Sequence, residues 1–361
     1  MGILKSLKKE TVKTKKHIEV KKLIVGDDFH TLNYLSAFGD QETRLVVLKK
    51  IEKESVIGKS FQRVRGTENI ERCKQIFPGA SIENEALRPT FYKENKFRLF
   101  GGRSKNEKLL LNEEFYTQES VDFNLYEAFP FLKDSSFWER YADSFQQNQL
   151  KSIDFITDEN KWSVELFNGD LFKVENLVWG LPPWKFLKLV ENKALFENNF
   201  IEYCESTKGS YCLTVKFQLS ESLSNQKETF FIPLSLTHDW GHFIGEFYKY
   251  NNYFLELVNY FDPDEVNEEG ISKRIKLLKR SLEKIYPQFT EAIQKEFISV
   301  NENIPQFGLE SKFCAKSMLP GLSFIGESAP LFEGEGASHF LRGVLSCKQF
   351  TKDSAAVDIH N

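Results

Sequence analysis

The spacing of apolar and polar positions predicts the elements of this chain before any motif is considered. Lys22 to Val25 is a short β-branched run ending at Gly26, the first expected strand. Phe29, Leu32, Leu35 and Phe38 then recur at three-residue steps, with Tyr34 and Ala37 between them, which predicts a helix stopped by Gly39. Leu45, Val46, Val47 and Leu48 are apolar on both faces, as a buried parallel strand requires. Strand, tight turn, helix and strand within about 30 residues make a βαβ unit.

Further along, Ile153 and Phe155 alternate with polar residues, as do Trp162, Val164 and Leu166, and Asp158-Glu159-Asn160 between them predicts the turn of a hairpin. Lys173 to Trp179 reads as another strand, ended by Gly180-Leu181-Pro182-Pro183, after which Trp184 to Ala194 has helical spacing. Tyr211 to Leu219, Phe230 to Thr237, His242 to Tyr248 and Tyr253 to Tyr260 predict an antiparallel meander of four strands. Gly270 to Tyr286 is an amphipathic helix whose apolar side carries Ile271, Ile275, Leu278, Leu282 and Ile285. Gly321 to Ile325 predicts a short apolar strand and Glu335 to Ser346 a helix, while Gly66 to Ser120 gives mixed signals around the turns Pro78-Gly79 and Gly101-Gly102.

Composition narrows the classes. A chain of 361 residues is too long for one small module, so two lobes, or one large α/β unit with a cap, are expected. Forty-eight Lys and Arg against 52 Asp and Glu give a net charge of -4, which supplies no global field for nucleic acid. No run approaches the roughly 20 apolar residues of a membrane helix. Met1 to Lys22 is lysine-rich without an apolar core, a solvated arm rather than a secretory signal, and Thr351 to Asn361 reads as a polar tail. The five cysteines never fall in a Cys-x-x-Cys spacing, so a reducing, cytoplasmic compartment is expected and a zinc knuckle is not. The 34 Phe are read as core, not as a binding surface.

Three segments carry candidate chemistry. The first is Leu23-Ile24-Val25-Gly26-Asp27-Asp28-Phe29-His30-Thr31, followed by Val46-Val47-Leu48-Lys49 and Val56-Ile57-Gly58-Lys59-Ser60. The second is the hairpin and strand ending in Pro182-Pro183. The third is Phe324-Ile325-Gly326-Glu327-Ser328, followed by Glu335-Gly336-Ala337. Their succession resembles the flavin-dependent amine oxidase superfamily, with protoporphyrinogen oxidase and phytoene desaturase as relatives. The resemblance implies an α/β fold: a Rossmann-like FAD/NAD(P)-binding lobe and a second, mixed-sheet α+β substrate lobe. It implies FAD as cofactor, held by Gly26, Asp28, Thr31, Lys49, Gly58, Lys59, Gly326, Glu327, Gly336 and Ala337. It also implies removal of a hydride from an amine or hydrocarbon-like substrate.

Each motif position has a physical role. In G-x-G-x-x-G the first glycine makes the turn, the second admits the pyrophosphate, and the third lets the helix lie close to the sheet. Here Gly26 keeps the first, Asp28 stands at the second and Thr31 at the third. A carboxylate at Asp28 repels phosphate unless it turns outward as a helix N-cap, a role Asp favours. Lys49 replaces the acid that would accept from the ribose, and Lys59 offers a point charge where arginine would clamp a phosphate. Gly326-Glu327 and the helix opening at Gly336-Ala337 stand where the family holds its ribityl hydroxyls and pyrimidine edge. Gly101-Gly102-Arg103 is read as a turn.

No catalytic residue is assigned. His238, Asp239 and His242 suggest metal ligands, but the flanking alternation makes Asp239-Trp240-Gly241 a hairpin turn, so no metal is expected. Cys314 or Cys347 with His339 lacks an orienting third group. The expected organisation is a basic arm at 1–19, a dinucleotide lobe from 20–66, 150–197 and 305–350, a substrate lobe from 67–149 and 198–304, and a tail at 351–361. Two functions stay open: an FAD-dependent oxidoreductase, or a non-catalytic descendant of that fold serving as a binding or scaffold protein.

Overall fold

The computed structural model describes residues 16–47, 61–80, 87–99, 120–142, 145–233, 242–250, 252–261, 263–302, 319–330 and 340–347. In chain order the first strands are β1 (His17–Val25), β2 (Thr43–Val47), β3 (Phe61–Arg65), β4 (Thr90–Lys93), β5 (Lys96–Leu99), β6 (Ser120–Asn124), β7 (Phe145–Gln147) and β8 (Leu150–Ile156). They continue as β9 (Lys161–Leu166), β10 (Leu171–Trp179), β11 (Tyr211–Leu219), β12 (Phe230–Pro233), β13 (His242–Tyr250), β14 (Asn252–Phe261), β15 (Ile293–Glu302) and β16 (Leu322–Phe324). The longer helices are α1 (Phe29–Phe38), α2 (Thr67–Ile76), α3 (Ser135–Ala142), α4 (Pro183–Leu189), α5 (Asn198–Ser206), α6 (Glu268–Ile285) and α7 (340–347).

The first sheet runs β7-β2-β1-β10-β9-β8, with β16 beside the end of β10. β7, β2, β1, β10 and β16 pair in parallel, whereas β10, β9 and β8 are antiparallel. The buried end of β1 explains why it lies at the centre. Leu23 and Val25 face one side with Leu177, Trp179 and Phe324, under Phe186, Leu187 and Phe200 of α4 and α5. Ile24 faces the other with Leu45 and Val178, under Leu32 and Leu35 of α1 and Leu341 and Val344 of α7. A strand apolar on both faces therefore becomes the middle of three layers, as parallel sheets require.

The second sheet runs β15-β11-β14-β13-β12-β4-β5, and only β12 with β4 is parallel. Val215 and Phe217 of β11, Leu255 and Leu257 of β14, and Phe243 of β13 pack on Leu278 and Leu282 of α6. β3 and β6 form a separate two-stranded ribbon. The mixed α/β architecture matches the expectation. The arrangement differs from the expected meander at one strand, because β11 pairs with β14 and β15 and leaves β12-β13-β14 as the consecutive part. Alternation marks which residues share a face but carries no information on which strand lies alongside. β1 also begins at His17, earlier than expected, with Ile18 and Val20 packed on the core and His17, Glu19 and Lys21 outward.

Candidate functional site

The ends of the parallel strands β1, β10 and β16 converge on one edge of the first sheet, the place where open α/β sheets hold ligands. β1 leads into α1 through Gly26. The Gly26 N–H donates to Val46 O at 3.2 Å and the Gly180 N–H to Val25 O at 2.7 Å, so the turns after β1 and β10 lie against each other. Between them stands Thr31, fully buried. A Cβ on Gly180 would sit 2.6 Å from Thr31 Oγ1, and one on Gly26 would overlap the same atom. The close approach that two glycines permit is thus used by a threonine side chain.

Asp28 is the N-cap of α1. Its Oδ1 accepts from the Thr31 N–H at 2.7 Å and from the Thr31 hydroxyl at 2.5 Å. Loss of water around the carboxyl raises its pKa above the ordinary aspartate value, while His30 and the two Thr31 donors pull the other way. Its Oδ2 lies 3.6 Å from the position of a Cβ on Gly326, so the carboxylate spans the gap between the first helix and the turn after β16.

The far side of this gap is closed by α7. Ser346 Oγ accepts from the Gly326 N–H at 3.0 Å and donates to Gly343 O at 2.7 Å. His30, 3% exposed, points Nε2 at Glu327 Oε1 across 3.7 Å, lies against Gly343, and makes no hydrogen bond through Nδ1. The Cys347 thiol donates to His30 O at 3.5 Å, and burial pushes that thiol up to about 12. The structure therefore places Gly26, Asp28, Thr31, Gly326 and Glu327 together. Lys49, Gly58, Lys59, Gly336 and Ala337 lie outside the described residues, as do His238, Asp239, Cys314 and His339. Among the described residues no group of three or more His, Cys, Asp or Glu is placed to hold a metal ion.

Sequence reasoning missed His30, Gly180 and Ser346 as members of this cluster. Ser346 is 20 residues from Gly326 along the chain, and no local spacing pairs them. The parallel register of Val25 with Trp179 brings Gly180 beside Gly26, and a pairing rule for the two strand ends would have found it.

The described part of the site does not fit the diphosphate of FAD. A phosphate on a helix N-terminus takes the free amides of the first turn. Here the Thr31 amide is already taken by the Asp28 carboxylate, while the Thr31 side chain packs α1 onto the turns at Gly26 and Gly180. This conclusion holds whichever protonation state Asp28 adopts, since it rests on a used donor.

No protein-family model matches the chain, and no curated protein matches it by sequence. Solved structures do. An oxidoreductase from Methanosarcina mazei is 9% identical with a TM-score of 0.54, the match covering 92% of this chain and 100% of that one. Cyclohexylamine oxidase from Brevibacterium oxydans is 10% identical with a TM-score of 0.54 over 92% of this chain and 100% of its own. Putrescine oxidase bound to putrescine is 6% identical with a TM-score of 0.52 over 95% and 100%. The chain therefore shares its fold with these three structures. Among the described residues no helix is long and apolar enough to cross a membrane.

Proposed function

We propose that this chain is a non-catalytic descendant of the flavoprotein fold that works as a binding or scaffold protein without FAD. The reading rests on one observation: the Asp28 carboxylate caps α1 by accepting from the Thr31 amide and hydroxyl, so an acid already stands at the helix N-terminus that a dinucleotide diphosphate would use. The competing reading, an FAD-dependent oxidase of amines or hydrocarbon-like substrates, is supported by the fold shared with cyclohexylamine and putrescine oxidases. Fold is a weaker guide than the site, because one fold hosts many activities. The nearer kinship with protoporphyrinogen oxidase or phytoene desaturase, and residence in a reducing cytoplasm, rest on sequence alone and belong to this proposal.

The test is direct. The full chain, purified and then incubated with excess FAD and desalted, should be colourless and retain no flavin. A yellow protein with the visible absorption of oxidised flavin at one equivalent per chain would return it to the oxidases.

A further inference from the structure

The edges of the two large sheets differ in how they are protected. An outer strand presents backbone amides and carbonyls to whatever comes alongside, and folded proteins blunt it by shortness, like charge, bulges or cover. β7 and β16 are three residues long. β8 is interrupted between Leu150 and Ser152, and the chain after α4 covers it through the Ile153–Val190 bridge and the Glu191 N–H, which donates to Ile153 O at 3.0 Å. β5 has four residues, among them Lys96 and Arg98. β15 is different. It runs for ten residues, Ile293–Glu302, without proline or glycine, and pairs with β11 unbroken from Lys295 to Glu302. Among the described residues no strand lies on its outer side. Phe297 is 46% and Ile298 48% exposed there. Ile298 stands opposite Val215 on the face that carries α6, and Phe297 stands opposite Lys216 on the other face.

From this we infer that β15 is an interface between two copies of this chain, which join edge to edge by antiparallel pairing of β15 with β15 of the second copy about a twofold axis at Phe297. The occupant is argued from the strand's own sequence. A twofold axis perpendicular to the sheet keeps every side chain on its own face, so Phe297 meets its own copy, Lys295 stands opposite Ser299, and Glu296 stands opposite Ile298. On one face the two Phe297 rings pack together with each Lys295 diagonal to the ring of the other copy, and on the other face the two Ile298 side chains are diagonal neighbours. No like charges are directly opposed, and Glu296 is already held by Lys279 of α6 at 2.6 Å. Moving the axis to Glu296 opposes two carboxylates, and moving it to Lys295 opposes two ammonium groups. Moving it to Ile298 sets each Phe297 ring against Ser299 and loses the ring pair. The mixed charge and the two apolar side chains of this edge are thus complementary to a second copy of themselves. Such a pairing is isologous and closes after two copies. It goes beyond the proposed function and stands whether or not the chain binds FAD.

Analytical ultracentrifugation of the full chain at tens of micromolar should give twice the mass of one chain; a monomer there, or an open ladder of larger species, overturns the inference. Phe297→Lys sets like charges across the axis and should weaken the dimer at least about tenfold. Ile298→Lys acts on the opposite face in the same direction and serves if Phe297→Lys does not fold. A folded variant that dimerises as tightly as wild type puts the interface elsewhere and overturns the inference. The register is read separately, with the wild-type chain, whose described cysteines are buried, as control. In Phe297→Cys the two Cα atoms across the axis are about 4.5–5.5 Å apart, within disulfide reach, so mild oxidation should cross-link the copies. In Lys295→Cys the two cysteines lie about 13 Å apart along the strands and should not cross-link. Equal cross-linking at both positions, or none at Phe297→Cys, overturns the pairing.

Discussion

Two buried polar clusters in this molecule are built on opposite principles. In one, Arg63 and Arg65 of β3 meet Asp122 of β6, Thr229 and Glu246 of β13. Arg63 donates from Nε and Nη2 to the two oxygens of Asp122 at 2.8 and 3.0 Å and from Nη2 to Lys227 O at 2.6 Å. Arg65 donates to Glu246, and Thr229 Oγ1 receives Arg63 at 3.3 Å and Arg65 at 3.1 Å. Burial works against the charge on Arg63, but Glu246 and Asp122 more than offset it and hold the guanidinium above its ordinary value. In the other cluster, Asp28 is shifted toward its neutral form, and His30 keeps a ring nitrogen without a hydrogen bond. The first is a clamp of guanidinium–carboxylate pairs joining the β3–β6 ribbon to the second sheet, although Arg65 Nε makes no hydrogen bond. In the second the carboxyl is held by the neutral Thr31 amide and hydroxyl rather than by a guanidinium.

The contrast is broken most severely at the clamp. Arg63→Ala leaves the partly buried Asp122 without its bidentate partner and should destabilise the chain by about 2–4 kcal/mol, read as a shifted urea midpoint. Removing the exposed Lys151–Glu165 pair, 2.9 Å apart, should cost under about 1 kcal/mol in the same assay. Similar losses from the two changes would mean that the buried network is no tighter than a surface pair.

The next effect sharpens the other side. A Cβ on Gly343 would overlap Cε1 and Nε2 of His30 and sit 2.6 Å from Cδ2, and His30 is too enclosed to swing away. Gly343→Ala should therefore cost about 1–3 kcal/mol by overpacking. Adding His30→Ala should return part of that loss, because the colliding ring is gone; strictly additive losses would place the strain elsewhere.

How far the sequence carried these two regions depends on what pattern encodes. The βαβ opening, the β8–β9 hairpin and α6 were legible because periodicity reports directly on a buried face, as Ile271, Ile275, Leu278 and Leu282 show. Asp28 as an N-cap was legible too, since the residue type and its place before an apolar run are local facts. The clamp was not. Arg63 and Arg65 fall in a stretch where no element is predicted, and their partners at 122, 229 and 246 are brought in only by the packing of the ribbon on the second sheet. The pairing of β11 with β14 was hidden for the same reason, since tertiary adjacency leaves no trace in local alternation.

The smallest effect tests the charge state of the Asp28 cluster. Because burial raises the Asp28 pKa, the native protein holds that proton more tightly than the unfolded chain does. The contribution of Asp28 to stability is then complete in acid, below the ordinary aspartate value, and is lost as pH rises through the raised one. Asparagine keeps an oxygen for the Thr31 amide, ranks beside aspartate as an N-cap, and carries no charge at any pH. Asp28→Asn should match wild type in acid and become more stable by up to about 1 kcal/mol toward neutral pH, as urea midpoints across that range would record. An asparagine variant weaker than wild type at neutral pH would show instead that the helix N-terminus stabilises the carboxylate more than burial opposes it. The Asp28 cluster would then resemble the clamp: a charge fully compensated by its surroundings.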